Sequence, residues 1–400
     1  MTPANVMRIC MAQASMETIR VLYDHQIFFI QSFGGISRYF LELMRHFDVS
    51  VRTDIAVRYT NNQDILAQVS GSRQFRDPTE IVPAIRFRGK TTIIRTWNYL
   101  ANGFISCENR NARHARRRIA EADYDVFHPT YYDNYFLDKI ERPFVLTIHD
   151  LTHERHPEFF SAGDIGLTNK RQLAERATRI IALSENTKKD IMLEYGIPSG
   201  KIDVIHHGNS LTGTRAATGG MALPPRYLLF VGTRRIYKNF DRMVTAIAPL
   251  LRSDPELHLI CTGTPFTPEE KELLADLGIL SRVLHSYADD PGLCRLYANA
   301  AAFIYPSLYE GFGLPILEAF SCRCPVICSS TSCFPEIAGN AAVYFNPLDE
   351  DSIRDAAERV LNDPALRKRM IEEGELREKE FSWDRAARLT AETYRRASKR

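Results

Sequence analysis

Cysteine is scarce in this chain. Eight in 400 residues are too few for a disulfide scaffold and suit a reducing compartment, so a cytoplasmic protein is expected. Cys322, Cys324, Cys328 and Cys333 cluster, but without a CxxC knuckle and around the apolar Pro325-Val326-Ile327; they read as small core residues rather than as zinc ligands. Charge of one sign is also lacking. Lys and Arg total 51 against 49 Asp and Glu, which gives no global case for nucleic acid. No apolar run approaches the ~20 residues that cross a bilayer. Met1 to Thr18 has no continuous apolar stretch of the signal-peptide kind and reads as an N-terminal extension, residues 1–18. Low-complexity tracts and solenoid periods are missing too.

What is present is an ordinary globular composition, 44% hydrophobic and 25% charged. The length suits two domains of about 200 residues each. Short apolar runs alternate with helical patterns: Ile19 to Asp24, Val51 to Tyr59, Ile81 to Phe87, Tyr124 to Pro129, Phe144 to Asp150, Arg179 to Leu183 and Ile202 to Gly208. That alternation predicts an α/β protein with doubly wound parallel sheets. Residues 209–225 lose periodicity and turn to Gly, Thr, Ala and Pro, as a linker does. A second series of strands and helices then begins at Tyr227. The expected domains are 19–208, 226–380 and a closing helix over 381–400, with two Rossmann-like sheets facing across a cleft.

The densest chemistry lies in FIYPSLYEGFGLPILEAFS, residues 303–321. An apolar strand runs into a loop holding Glu310 between aromatics and glycines, and a helix follows with Pro315 near its start. A strand–loop–helix of this kind turns free backbone N–H groups toward the carboxyl edge of the sheet, which suits a phosphate. Glu310 and Glu318 stand eight residues apart. Carboxylates beside an anion site are useful if they hold vicinal hydroxyl pairs, and a sugar nucleotide carries two such sets. Lys238, at the start of the helix after the strand Tyr227 to Val231, is placed to neutralise a diphosphate, with Arg234 or Arg235 as a bidentate partner.

Glu310/Glu318 as E-x7-E, the loop Gly311 to Pro315, and Pro335-Glu336 with Gly339 occur in that order. This region resembles glycosyltransferase family 4, the retaining GT-B enzymes, and the similarity extends over nearly the whole chain. The resemblance implies a GT-B fold and transfer of a hexose from a nucleotide-diphosphate sugar to a saccharide or lipid-linked acceptor. Its look is closest to bacterial mannosyltransferases of O-antigen and exopolysaccharide synthesis, so GDP-mannose is the favoured donor and other NDP-sugars stay open. Metal independence is expected, since Lys238, an arginine and the helix start at Phe312-Gly313-Leu314 supply the charge. By resemblance, Glu310, Lys238 and His149 are the catalytic candidates. The donor site takes in Gly34 and Gly35, Thr233, Arg234, Arg235, the strand edge at Val283 and Leu284, and Glu318 for the ribose diol. Thr233 departs from the arginine that many members carry directly after the glycine.

Two elements of the first half remain. His128 and His149 each end an apolar strand, where ligands of parallel sheets bind. Residues 95–118 set Trp97, Tyr99 and Phe104 beside Arg113, Arg116, Arg117 and Arg118; this is either an amphipathic helix with a solvated basic face or a peripheral contact with an anionic membrane. A sugar-nucleotide epimerase of the same fold and a catalytically silent sugar-nucleotide-binding subunit are the alternatives to a transferase.

Overall fold

The computed structural model describes residues 18–74, 107–160, 165–211, 222–234 and 236–399. The expected strand Ile81 to Phe87, residues 95–106 of the arginine-rich stretch, most of the linker and Arg235 lie outside the described residues.

The first domain begins with β1 (Ile19–Asp24), flanked by β2 (Val51–Ala56) on one side and β3 (Val126–His128) on the other, all parallel. A bridge between Phe127 and Phe144 leads on to β4 (Val145–Ile148), β5 (Arg179–Ala182) and β6 (Ile202–Val204), also parallel. Strands β3, β4 and β5 are buried at every position. Central parallel strands covered by helices on both faces have no polar alternation, so they appear in the sequence as unbroken apolar runs. Helix α1 (Gln26–Ile30) interrupts what reads as a plain loop. It is followed by α2 (Gly35–His46), whose last turn carries Arg45 and His46, the favourable end of the helix dipole for cations. Helix α3 (Cys107–Glu121) covers the β2 side. In α4 (Glu185–Tyr195) the Ser184 hydroxyl accepts from Thr187 N–H, and Gly196 closes the helix at φ 68°.

The second domain is a six-stranded parallel sheet. It contains β7 (Arg226–Phe230), β8 (Leu257–Cys261), β9 (Val283–His285), β10 (Ala302–Tyr305), β11 (Val326–Ser329) and β12 (Ala342–Phe345), in the order β9-β8-β7-β10-β11-β12. Progress is outward from β7 in one direction and from β10 in the other, so the order reverses between these two. All four clustered cysteines are buried, in the core under β10 and β11.

The closing helix α5 (Trp383–Ser398) packs on the first domain. Tyr394 is fully buried there, its hydroxyl 2.7 Å from both Tyr23 Oη and His128 Nδ1. Thr393 donates to Asp203 at 3.0 Å. Among the described residues no helix is long and apolar enough to cross a membrane.

Candidate active site

Where strand order reverses in a parallel sheet, the loops leaving two neighbouring strands diverge and open a crevice at the carboxyl edge. In the second domain those loops follow β7 and β10. They are tied together by Leu308 N–H donating to Tyr237 O at 2.8 Å, and by Asn239, whose side-chain amide donates to Pro306 O and Pro347 O. Across the crevice Lys238 Nζ meets Glu310 Oε1 at 2.5 Å, with both side chains at least four-fifths buried. Burial works against the lysine's charge, but the Glu310 carboxylate outweighs it and holds the ammonium above its usual range. Next to the pair, helix α6 (Leu314–Ser321) starts from Gly313 at φ 93°, with no side-chain cap on its first N–H groups. The backbone there is free to receive an anion.

Glu318 lies on the inner side of α6 and accepts from Tyr297 Oη at 3.2 Å. Burial raises its carboxyl above the ordinary range, and Arg38 and the Tyr297 hydroxyl only partly relieve this. Arg38 comes from the first domain and also pairs with Asp290 at 3.0 Å. Asp289 caps its own helix by accepting from Gly292 N–H. Of the two neighbouring acids, then, one is a cap and the other an interdomain contact. Gly34 precedes α2, and around Gly35 there is open space. Val283 and Leu284 stand on β9, the edge strand of the sheet. Thr233 is exposed on the loop after β7.

Arg234 has a different occupation. Its guanidinium pairs with Glu270 (Nε to Oε1, 2.8 Å), donates to the carbonyls of Thr262 and Thr264, and lies over Phe266 at 4.5 Å. With its side chain 1% exposed, it braces two loops of the second domain, its charge paired with Glu270 and three of its five N–H groups spent within that domain.

The first domain closes onto this crevice at Gly311. A Cβ on that residue would lie 1.7 Å from the His149 carbonyl oxygen, and the Gly311 carbonyl accepts from Ser184 Oγ at 2.8 Å and Thr187 Oγ1 at 3.1 Å. His149 therefore faces the residue next to Glu310. It is buried, its amide N–H donates to Tyr132 Oη, and its Nε2 has no hydrogen-bond partner among the described residues. Burial, only partly offset by Asp150, drops the imidazole to about 4. His149 is thus neutral at physiological pH. His128, by contrast, uses both ring nitrogens, on Tyr394 and Thr147, and is a core group.

Two contributors escaped the sequence. Glu336 accepts from His206 Nε2 at 2.6 Å and from the N–H groups of Glu185 and Asn186 at the start of α4, so it ties the second domain to the first. The buried His207 ring stacks between Tyr39 of the first domain and Phe312 of the second, at 4.9 and 4.8 Å. The signal for Glu336 was its place in the Pro335-Glu336 segment; nothing local marked its partners.

Two family models account for almost the whole molecule. Residues 33–211 match one described as Glycosyltransferase Family 4, and residues 218–377 match Glycosyl transferases group 1. The chain is a family 4 glycosyltransferase. Within the family, it is 28% identical over 311 residues to an O-antigen chain mannosyltransferase B of Escherichia coli, covering 70% of this chain and 78% of that one. It is 27% identical over 348 residues to an MMP alpha-(1->4)-mannosyltransferase of Mycolicibacterium hassiacum, covering 80% and 81%. Among solved structures, HepE of Anabaena, in complex with UDP and glucose, superposes with a TM-score of 0.68 at 15% identity over 94% of this chain and 99% of that one. This glycosyltransferase thus has the GT-B fold, and its substrate class includes a nucleotide-sugar donor.

Proposed function

We propose that the enzyme transfers mannose from a nucleotide-diphosphate mannose, GDP-mannose first, to a saccharide acceptor in cell-surface polysaccharide synthesis, with retention at the anomeric carbon. The observation that carries the site assignment is the Lys238–Glu310 pair beside the uncapped start of α6. The preference for mannose rests on the two mannosyltransferase relatives.

In this reading Lys238 and the N–H groups at Phe312, Gly313 and Leu314 stabilise the diphosphate as the glycosidic bond breaks. Contacts that strengthen with leaving-group charge raise turnover and not merely affinity. Glu310 holds hydroxyls of the donor sugar and faces the cationic anomeric centre. Glu318 takes the ribose diol, since the Tyr297 hydroxyl occupies only one of its oxygens. His149, neutral and with a spare Nε2, serves the sugar from the acceptor side. One arginine of the pair Arg234/Arg235 adds to this charge, Arg234 doing so from within its pair with Glu270. Metal is not needed for this charge balance. A cytoplasmic setting follows from the cysteine usage.

The test is a thermal-shift panel of GDP, UDP, ADP, GDP-mannose and UDP-glucose, each with magnesium or with chelator. A ligand at 100 times its dissociation constant stabilises the fold by about 2.7 kcal/mol. A magnesium-independent shift confined to guanine nucleotides and lost in Lys238→Ala is expected. A shift with UDP-glucose alone overturns the donor assignment.

A further inference from the structure

The loop that carries Glu310 is held by both domains, and the change from one to the other falls at a single peptide bond. Glu310 is held from within the second domain. Its side chain meets Lys238, its N–H donates to Ser332 Oγ at 3.2 Å, and its carbonyl accepts from the same hydroxyl at 2.6 Å. Ser332 adopts φ 56°, a left-handed backbone that residues other than glycine seldom take up. Tyr309, the residue before, is held by the first domain. Its side chain is buried, its ring lies edge-on to His156 at 5.8 Å, and its hydroxyl donates to Asp190 Oδ2 at 2.6 Å.

Ser184, Thr187 and Asp190 recur every three residues from the cap of α4 into its second turn, a spacing that puts them on one side of the helix. Ser184 and Thr187 grip the carbonyl of Gly311, the residue after Glu310. One side of α4 therefore holds the residues on both flanks of Glu310, while the Glu310 carboxylate faces Lys238. Neither Tyr309 nor Asp190 is placed to act on substrate itself. A ring inserted this deeply offers no face to a sugar. Asp190 spends Oδ2 on Tyr309 and on the Asn186 amide at 2.9 Å, with Arg155 at 3.8 Å from Oδ1. Burial pushes the Asp190 carboxyl up, and the Tyr309 hydroxyl is the leading contact opposing this. The phenol is raised by its own burial and by the carboxylate, so it stays protonated and donates.

We propose that Tyr309 and Asp190 are positioning residues for Glu310, through which the first domain sets the angle at which a carboxylate of the second domain meets the donor sugar. This deepens, and rests on, the transferase reading, in which Glu310 serves that sugar. A side chain on a loop is placed only as well as its main chain is held. Parting the domains frees the flanks of Glu310, whereas Lys238 and the start of α6, both in the second domain, keep their hold on a diphosphate. Donor capture then needs one domain, and alignment for transfer needs two.

The full chain is assayed for release of GDP from GDP-mannose with methyl α-mannoside as acceptor, alongside calorimetry with GDP. Tyr309→Phe and Asp190→Ala are each expected to lower kcat about tenfold or more, as a small misplacement of a reacting group does, while the affinity for GDP holds. The double variant should fall no further than either single one, since both remove the same bond. Asp190→Asn keeps an acceptor for the hydroxyl and should fall less far than Asp190→Ala. In a Glu310→Gln background, Tyr309→Phe should cost nothing more. An unchanged kcat in Tyr309→Phe overturns the proposal. So does an equal loss in the Glu310→Gln background, which would make the pair a general brace of the interface. Hydrogen exchange of the GDP-bound chain reads placement without turnover: amides of residues 308–313 should exchange faster in Tyr309→Phe than in wild type, and equal rates overturn the proposal. A wild type that releases no nucleotide from any sugar nucleotide, while its loop responds in this way, would instead count against the transferase reading.

Discussion

Lys238 and Glu310 form an ion pair between the two loops that diverge from the centre of the second sheet. A diphosphate arriving at Lys238 must share the ammonium with this carboxylate. Lys238→Ala is expected to weaken nucleoside diphosphate binding by about tenfold or more, the worth of a charge-assisted contact. Glu310→Gln should leave that binding in place and cut turnover about 100-fold or more. Calorimetry with GDP and initial-rate assays separate the two. Parallel losses of affinity in both variants would contradict the division of roles.

Gly311 allows the domains to touch, since no side chain fits against the His149 carbonyl. Gly311→Ala puts a methyl group where the His149 carbonyl stands, so the contact cannot be kept, and parting the domains relieves the overlap. Small-angle scattering should show a larger radius of gyration for the variant, with turnover reduced and the melting of each domain little changed. An unchanged radius with full activity would show that closure does not need this contact.

Glu336 provides a pH-dependent part of the same closure. Burial favours its protonated form, but His206 and two helix N–H groups prevail and hold the carboxyl below its ordinary range. A depressed carboxyl stabilises the closed arrangement above the unfolded value near 4.3, and the contribution is lost as pH falls through the lower folded value. Glu336→Gln should therefore resemble wild type in acid and differ from it at pH 7, where scattering should report a more open molecule. Identical profiles at pH 7 would remove Glu336 from the closure.

Buried imidazoles impose a second dependence of the same sign, setting in at higher pH. His128 is pushed down to about 3 and His149 to about 4, in both cases by burial. Unfolded histidines take up protons below about 6.5, the folded ones do not, and stability falls by about 1.4 kcal/mol per pH unit per ring as pH drops toward each folded value. Urea midpoints should be level above pH 7 and decline steeply between pH 6.5 and 4. His149→Asn should make the decline shallower. A midpoint as high at pH 5 as at pH 7.5 would rule the effect out.

Sequence and structure agree most closely where a feature is local. Leu257–Cys261 is a strand at the bounds its apolar run indicates, and Ser184 and Gly196 delimit their helix through bonds made within four residues. The Glu310 loop was legible for the same reason: strand, glycines and helix start are contiguous. Arg234 was read as a free cation because its acid, Glu270, lies 36 residues on. Glu336 was read only as part of a family segment because its partners, 130 to 151 residues earlier, belong to the other domain. Helix Gln26–Ile30 has no side-chain cap and no acid in its first turn, so it resembled a loop. The tertiary fold supplies what its ends lack.

Helix 383–398 gives the chain an order of assembly. The Tyr23 and His128 hydrogen bonds of the first domain are completed by Tyr394, more than 260 residues downstream of His128. A ribosome that has finished the first domain still holds back the side chain that satisfies its interior, while the second domain emerges and folds in between. The half made first is therefore the half sealed last, and during synthesis it must wait, exposed along one face, for the rest of the polypeptide to arrive.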